Sequence, residues 1–174
     1  MSMGRMVLLQ HELADGTRHF DWMVQRFTPG LEGAAAPLDP ESRDLITFRV
    51  MDRVDLKKTA FFAAEHTADH RNAYLDFAGD LSGGRGTVRK IARGIVRRVE
   101  EMPGAICIRG KFSGSPDYIW AGVEKNGGWE FQRSTAVDNG KPAPRDQAGG
   151  LSEEESIWNT SGNGGLAGLA WGLW

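Results

Sequence analysis

The sequence predicts a mainly β fold, a single-domain antiparallel β-barrel-like sheet with one or two short helices. Alternating or apolar runs of strand length recur along residues 5–133, and such runs are typical of strands that bury one face. Turn residues separate them at short intervals, which favours an antiparallel meander over βαβ units. We therefore predict one β domain over residues 1–133 and a Gly- and Trp-containing C-terminal tail over residues 134–174.

The first predicted element is a β-hairpin. Two strand-like runs, "RMVLLQHEL" and "RHFDWMVQRF", are joined by the loop Ala14-Asp15-Gly16. In a three-residue hairpin loop the last position adopts the left-handed region, which Gly tolerates best. That loop pairs residues whose numbers sum to 30, so His11 would lie opposite His19. A two-residue loop would instead place the two histidines on opposite faces of the sheet.

The other predicted elements follow in order. Residues 45–50 and 59–66 are strand-like, although the second run is also typical of a helix. A short helix is predicted over residues 70–77, with Asp69 as its N-terminal cap and Gly79 as its stop. The predicted meander then comprises "GTVRKI" (86–91), "GIVRRVE" (94–100), "AICIRGK" (105–111), "YIWAGVE" (118–124) and "WEFQR" (129–133).

The overall composition and net charge narrow the classes of protein that this sequence can encode. The chain has 174 residues, 40% of them hydrophobic and 25% charged, which is ordinary for a globular domain. A formal net charge of -2 gives no overall basic field for nucleic acid, so any such binding must be local. The single cysteine, Cys107, and the lack of a signal pattern favour a cytoplasmic protein. The run "LAGLAWGLW" is too short for a membrane helix, and we expect a monomer without membrane contact.

The predicted hairpin brings three candidate metal ligands together. His11 and His19 would face each other, with Asp21 further along the same face. Two imidazoles and one carboxylate suit zinc, manganese or iron, and three protein ligands leave positions open for water and substrate. This pattern is typical of a catalytic site rather than a closed structural one. The alternative is a polar cross-strand pair on a solvated face, with Asp21 an ordinary surface carboxylate.

Two further segments carry candidate functional residues. In the predicted helix, His70 and Tyr74 share a face one turn apart, where the histidine either acts as an acid/base group or packs beside Tyr74 and Phe77. Segment 85–98 is basic and contains no acid, which in two adjacent strands gives either a phosphate-binding stripe or a solvated sheet face. Its basic residues are Arg85, Arg89, Lys90, Arg93, Arg97 and Arg98.

In this order the motifs resemble a known family. "LLQHE", "RHFDWMVQ" and "DHRNAYLDFAGDLSGGRGTV", followed by a meander ending in "WEFQR", are similar to the phosphoesterase domain of bacterial DNA ligase D over roughly residues 6–133. The resemblance implies a divalent metal site, with manganese first and zinc as the alternative, that trims phosphates and ribonucleotides from DNA 3′ ends in non-homologous end joining. It implies His11, His19 and Asp21 as metal ligands, His70 as the catalytic histidine and Tyr74 as the phosphate-supporting tyrosine.

The chain departs from the family pattern near this site. The family carries an arginine two residues after the ligand aspartate, whereas this chain has Met23, so a phosphate-binding cation is missing from the strand. Arg71 or Arg85 could replace it, and Arg89 and Arg93 would extend the phosphate-binding surface. Because these 174 residues include no polymerase or ligase module, DNA or DNA/RNA 3′ ends would be passed to separate ligase or polymerase proteins.

We therefore expect a divergent metal-dependent phosphoesterase that removes a 3′-phosphate or ribonucleotide from DNA ends. One alternative is a catalytically inactive module of the same fold that binds nucleic acid or a partner protein through the basic meander. Another is a metal-dependent hydrolase with a small-molecule substrate. Salt-sensitive DNA binding without product would favour the first alternative, and a narrow pocket with basic residues directed elsewhere would favour the second.

Overall fold

The computed structural model describes residues 3–27 and 39–136. Within them the chain forms nine β-strands and one short 3₁₀ helix, Asn72–Leu75. The strands are β1 (Gly4–Glu12), β2 (Arg18–Gln25), β3 (Leu45–Val50), β4 (Phe61–His66), β5 (Gly79–Asp80), β6 (Thr87–Met102), β7 (Ala105–Phe112), β8 (Tyr118–Lys125) and β9 (Gly128–Thr135). No helix in this part of the chain is long and apolar enough to cross a membrane. The predicted tail lies outside the described residues from position 137 onward.

The strands form one antiparallel sheet that closes on itself. Its order is β1-β2-β3-β4-β9-β8-β7-β6-β5, and an additional pairing of β1 with β6 completes a ring of eight strands. The short β5 pairs with the beginning of β6. The predicted mainly β, barrel-like fold class with a short helix is confirmed. β3 has the predicted bounds, and β4 is a strand rather than a helix.

Alternating side chains fill the inside of the ring. Successive residues of a strand point to opposite faces, so Met6 and Leu8 of β1 face inward together with Trp22 of β2, and all three are fully buried. Trp22 packs against Trp120 of β8 with ring centroids 5.3 Å apart. Burial of each large apolar side chain contributes about 1.5–3 kcal/mol. This core fixes the strand register, because a slip of one residue would turn these side chains to solvent.

A second apolar cluster lies on the outer face of the ring. Leu75 of the 3₁₀ helix belongs to it, so the segment that contains this helix covers part of the outer face. The odd-numbered residues of β1 and β2 that join the cluster share their face with His11, His19 and Asp21. The candidate site therefore lies outside the ring rather than in its interior. The buried members of the cluster are Val7, Leu9, Met23, Leu45 and Leu75.

One long strand replaces two predicted ones. The sequence predicts a break at residues 92–93, but β6 runs unbroken from Thr87 to Met102. Gly94, where the second strand was expected to begin, lies in the middle of β6. The position requires glycine because the backbone of β7 passes close by. A Cβ at Gly94 would lie 2.3 Å from the carbonyl oxygen of Lys111. Irregular pairing with β1 leaves Ile91 as the extra residue of a β-bulge.

The predicted helix over residues 70–77 is reduced to the 3₁₀ helix. Asp69 does not cap it, because its carboxylate accepts a hydrogen bond from Arg26 at 2.6 Å. His70 precedes the helix and exchanges two backbone hydrogen bonds with Leu45, at 2.9 and 3.2 Å, as an isolated bridge beside β3. Gly79 begins β5 instead of ending the helix. Strand-type pairing at both ends of the segment thus leaves room for only a short helix.

Candidate metal centre

The first hairpin has the predicted register. His11 pairs directly with His19 across β1 and β2, and Gly16 at the end of the loop has the expected positive φ of 82°. Because the loop has an odd number of residues, both histidines and Asp21 point to the same outer face of the sheet. The prediction that these three side chains converge is confirmed.

The three side chains form a compact set of metal-ligand atoms. His19 Nε2 lies 3.4 Å from Asp21 Oδ1, and His11 Nδ1 lies 3.9 Å from Asp21 Oδ2. The ligand atoms all lie within 4.8 Å of one another. Ligand atoms about 2.1 Å from one tetrahedral ion are about 3.4 Å apart. The group could therefore hold a metal ion after small movements of the side chains.

Each histidine offers one defined nitrogen. His11 Nε2 donates a hydrogen bond to the carbonyl oxygen of Arg85 at 2.7 Å, since a carbonyl can only accept. Nδ1 of the same ring therefore keeps its lone pair for a metal ion. His19 Nε2 is buried and has no hydrogen-bond partner among the described residues, although buried polar atoms are normally satisfied. A divalent cation would satisfy this atom, so the donor set fits such an ion.

Electrostatics favour the neutral form of His19. Burial of the ring is the largest influence and lowers its pKa. The carboxylate of Asp21 opposes this effect, while the charges of Arg49 and His11 add to it, and the net shift of the pKa is downward. A neutral imidazole carries the lone pair that metal coordination requires.

A cationic cleft lies beside His11. Arg85, whose backbone carbonyl holds His11, also contributes to the wall of this cleft, which has a volume of about 510 Å³. A second space of about 230 Å³ shares Arg71, Tyr74 and Arg85 with it. The predicted catalytic pair and two predicted phosphate-binding arginines therefore lie around one cleft. The lining residues of the larger space are Glu41, Arg43, His70, Arg71, Tyr74 and Arg85.

His70 and Tyr74 are in contact at this cleft. Their rings meet edge to face with centroids 5.3 Å apart. His70 Nδ1 is buried without a partner among the described residues, so Nε2 is the ring nitrogen available to the cleft. The predicted proximity of the two residues is thus observed, but a strand bridge and a 3₁₀ helix produce it instead of one α-helix.

Three arginines surround the cleft, and each is held by a neighbour. Arg71 pairs with Glu41 at 2.7 Å, Arg85 bonds within its own loop, and Arg43 donates to a backbone carbonyl at 3.1 Å. Arg43 is absent from the sequence-based prediction. The sequence offers no signal for it, because Arg43 lies outside every motif and reaches the cleft only through the turn before β3.

Met23 occupies a buried position beside the metal-ligand group. It lies on the same face of β2 as Asp21, is 1% exposed and belongs to the outer apolar cluster together with Leu75. A charged side chain in this place would need a partner such as the Asp21 carboxylate to replace the water that it loses. A phosphate at this site would therefore meet the cations of the cleft wall and Arg49, which pairs with Asp21 across β2 and β3 and whose charge acts on His19.

The other two predicted phosphate-binding residues lie on different faces of β6. Arg93 pairs with Val7 and shares the outer face of the metal-ligand group, whereas Arg89 pairs with Gln10 and points to the opposite face. Regular alternation would place residues 89 and 93 on one face. The bulge at Ile91 shifts the alternation by one residue and separates them.

Comparison with known proteins adds no relative. No protein-family model matches the chain, and no curated protein matches it. The resemblance to the ligase D phosphoesterase domain therefore rests on the sequence motifs alone.

Proposed function

We propose that the chain is a metal-dependent phosphoesterase that removes a 3′-phosphate or a ribonucleotide from DNA ends. The observation that carries the proposal is the group of His11, His19 and Asp21 beside a cleft lined by His70 and three arginines. Metal-ligand groups and cationic side chains both suit a phosphate ester. The geometry supports this broad class of substrate, and the motif resemblance supplies the DNA or DNA/RNA 3′ end.

The metal-ligand group would hold one divalent ion, manganese first and zinc as the alternative. Such an ion polarises phosphoryl oxygens and lowers the pKa of water. His11 Nδ1, His19 Nε2 and the Asp21 carboxylate would hold it and leave other positions free for water and substrate. The carbonyl of Arg85 keeps the His11 ring in the orientation that presents Nδ1.

The cleft residues would divide the remaining tasks. His70 Nε2 would give or take a proton at the ester or water oxygen. The hydroxyl of Tyr74 would donate a hydrogen bond to a phosphate oxygen. The cleft arginines would neutralise the phosphate in place of the arginine that the family carries at the position of Met23. Arg71 would exchange Glu41 for the phosphate at small cost, because exposed ion pairs contribute little stability.

The test is the release of inorganic phosphate from a DNA oligonucleotide with a 3′-phosphate in the presence of manganese. We expect His19→Gln and His70→Gln each to lower the rate by roughly 100-fold or more, because one loses a metal ligand and the other a proton carrier. His66→Gln is the matched control, since its side chain is 43% exposed at the end of β4. Equal turnover by wild type and both site variants would contradict the proposal.

A second candidate function is a catalytically inactive module of the same fold that binds nucleic acid or a partner protein. The burial of Met23 favours it, because no cation stands at that position beside Asp21. In this case the metal would only stabilise the fold and would take no part in a reaction. The module would bind DNA without releasing phosphate, and His70→Gln would leave the binding unchanged.

A further inference from the structure

Basic side chains line the outer face of β6, beginning beside the candidate metal centre. Val88 of β6 pairs with His11, and further along the strand Lys90 pairs with Leu9. Arg93 follows on the same face, because the bulge at Ile91 changes which residues point outward. Lys90 and Arg93 therefore lie on the same outer face of the sheet as the metal-ligand group.

The same face continues onto β7. Lys111 pairs with Ile95, the next outward residue of β6 after Arg93, and Arg109 follows two positions away on β7. Ile108 and Gly110, which alternate with them, are buried inside the ring, so Lys111 and Arg109 face outward. We name these cations the basic track, which consists of Lys90, Arg93, Arg109 and Lys111.

The charges of the basic track are not neutralised by neighbouring acids. Among the residues that the structure describes, none of the four track members forms an ion pair. Three acids near the track are each bound to another arginine. Their pairs are Asp76 with Arg5 at 2.5 Å, Glu100 with Arg98 at 2.6 Å and Asp117 with Arg97 at 2.8 Å.

We propose that the basic track binds the sugar-phosphate backbone of the DNA strand whose 3′ end enters the cleft. This inference rests on the proposed function and adds the surface that holds the DNA strand, at several phosphates, upstream of its 3′ end. Binding of this kind is independent of base sequence and weakens steeply with salt.

The dimensions of the basic track fit several nucleotides. From Val88, beside His11, to Arg98, which pairs with Arg109, β6 advances by ten residues. At about 3.3 Å per residue the path is roughly 30 Å long, and one DNA strand rises about 3.4 Å per nucleotide, so about nine nucleotides would span it. A membrane surface fits less well, because the large exposed apolar side chains of the described residues, Met3, Met51, Phe61 and Met102, lie outside the track.

The first arm of the test measures binding by fluorescence anisotropy. The probe is single-stranded DNA of about 12 nucleotides with a 3′-phosphate, in EDTA, at salt concentrations from about 50 to about 200 mM. We expect Lys90→Gln/Lys111→Gln to weaken binding roughly tenfold and to reduce the slope of log affinity against log salt by about 1.4, or about 0.7 per lost phosphate contact. Lys57→Gln/Lys58→Gln is the matched control, because it removes the same charge from exposed loop positions.

The second arm compares hydrolysis of substrates of two lengths. With manganese, Lys90→Gln/Lys111→Gln should raise KM for the long substrate by roughly the same tenfold, with kcat unchanged. KM for a nucleoside 3′-phosphate should not change, because a single nucleotide at the metal centre does not extend along the track. Both pairs of substituted lysines are outside the buried core, and circular dichroism verifies that each variant is folded.

The outcomes separate this inference from the proposed function. Equal DNA affinity and salt slope for the track variant and wild type would overturn the inference, even if phosphate is released normally. An absence of phosphate release from both substrates would overturn the proposed function, while the binding arm would still decide on the track. Wild-type binding to phosphatidylserine vesicles but not to DNA would also overturn the inference and assign the track to a membrane surface.

Discussion

Gly86 connects the candidate metal centre to the loop that follows β5. Its φ is 94°, and a Cβ at this position would lie 2.0 Å from the carbonyl oxygen of Glu12. The preceding residue is Arg85, whose carbonyl accepts the hydrogen bond from His11 Nε2. The orientation of His11 therefore depends on a residue without a side chain.

Gly86→Ala should weaken the binding of Mn²⁺ by about 10–100-fold, because the loop must move and release the His11 ring. Isothermal titration calorimetry measures this affinity. Gly84→Ala is the matched control: Gly84 has a φ of 67° in the same loop but open space around it. It should lose about 1–2 kcal/mol of stability to backbone strain while retaining the affinity for Mn²⁺. Equal affinity in both variants would show that the loop does not hold His11.

Asp76 should titrate at unusually low pH. Hydrogen bonds from Arg5 lower the pKa of its carboxyl most strongly, burial opposes them as the second-largest influence, and the charges of Arg5, Lys90 and Arg93 lower the pKa further. Because the pKa is lower in the folded state, the pair contributes stability above the unfolded pKa of about 3.9 and loses it as the pH falls.

Arg5→Gln should raise the pKa of Asp76 toward its usual value, as measured by an NMR titration of the carboxyl carbon. The variant should be less stable than wild type at neutral pH, and the difference should vanish at strongly acidic pH. Arg18→Gln is the control, because Arg18 lies at the other end of the hairpin, opposite Glu12. An unchanged pKa in Arg5→Gln would disprove the assignment.

At the scale of elements, the length of the hairpin loop determines whether the three candidate metal ligands meet on one face of the sheet. Deleting Ala14 should abolish Mn²⁺ binding, because a two-residue loop turns His11 and His19 to opposite faces. Inserting Ser-Gly after Asp15 keeps an odd number of loop residues and should preserve binding. Calorimetric titration of both variants, with circular dichroism to verify folding, tests this parity. Tight binding by the deletion variant would refute it.

The hairpin could be predicted from the sequence because its determinants are local. Gly16 fixes the loop geometry, and a period of two then decides which side chains share a face. β6 could not be predicted in the same way. Gly94 resembles a turn residue in the sequence, yet it serves the close approach of a neighbouring strand, and nothing local indicates the bulge at Ile91.

The cleft could be predicted only in part, because some of its contacts join segments that are distant in the sequence. His70 and Tyr74 are close in the sequence, so any compact local structure brings them together. The bridge between His70 and Leu45 and the approach of Arg43 depend on contacts between distant segments. Sequence patterns therefore located the candidate residues that lie together but could not specify the wall of the cleft.

At the scale of the whole molecule, metal binding should appear as added thermal stability. An ion that binds only the folded state contributes about 2.7 kcal/mol at 100 times its Kd, which raises Tm by about 5–10 °C for a protein of this size. Differential scanning fluorimetry with Mn²⁺ should detect this shift in wild type and not in Asp21→Asn. Asp52→Asn, at an exposed loop position, should retain it. A shift that persists in Asp21→Asn would place the ion elsewhere.

The closure of the sheet limits how other macromolecules can attach. Each of the eight ring strands has a neighbour on both sides, and β5, outside the ring, has only two residues. Within residues 3–27 and 39–136, no strand longer than β5 has a wholly free edge onto which a partner could add a strand. A partner protein that attaches to this part of the chain would have to recognise side chains instead. The same closure should protect the protein against edge-to-edge aggregation.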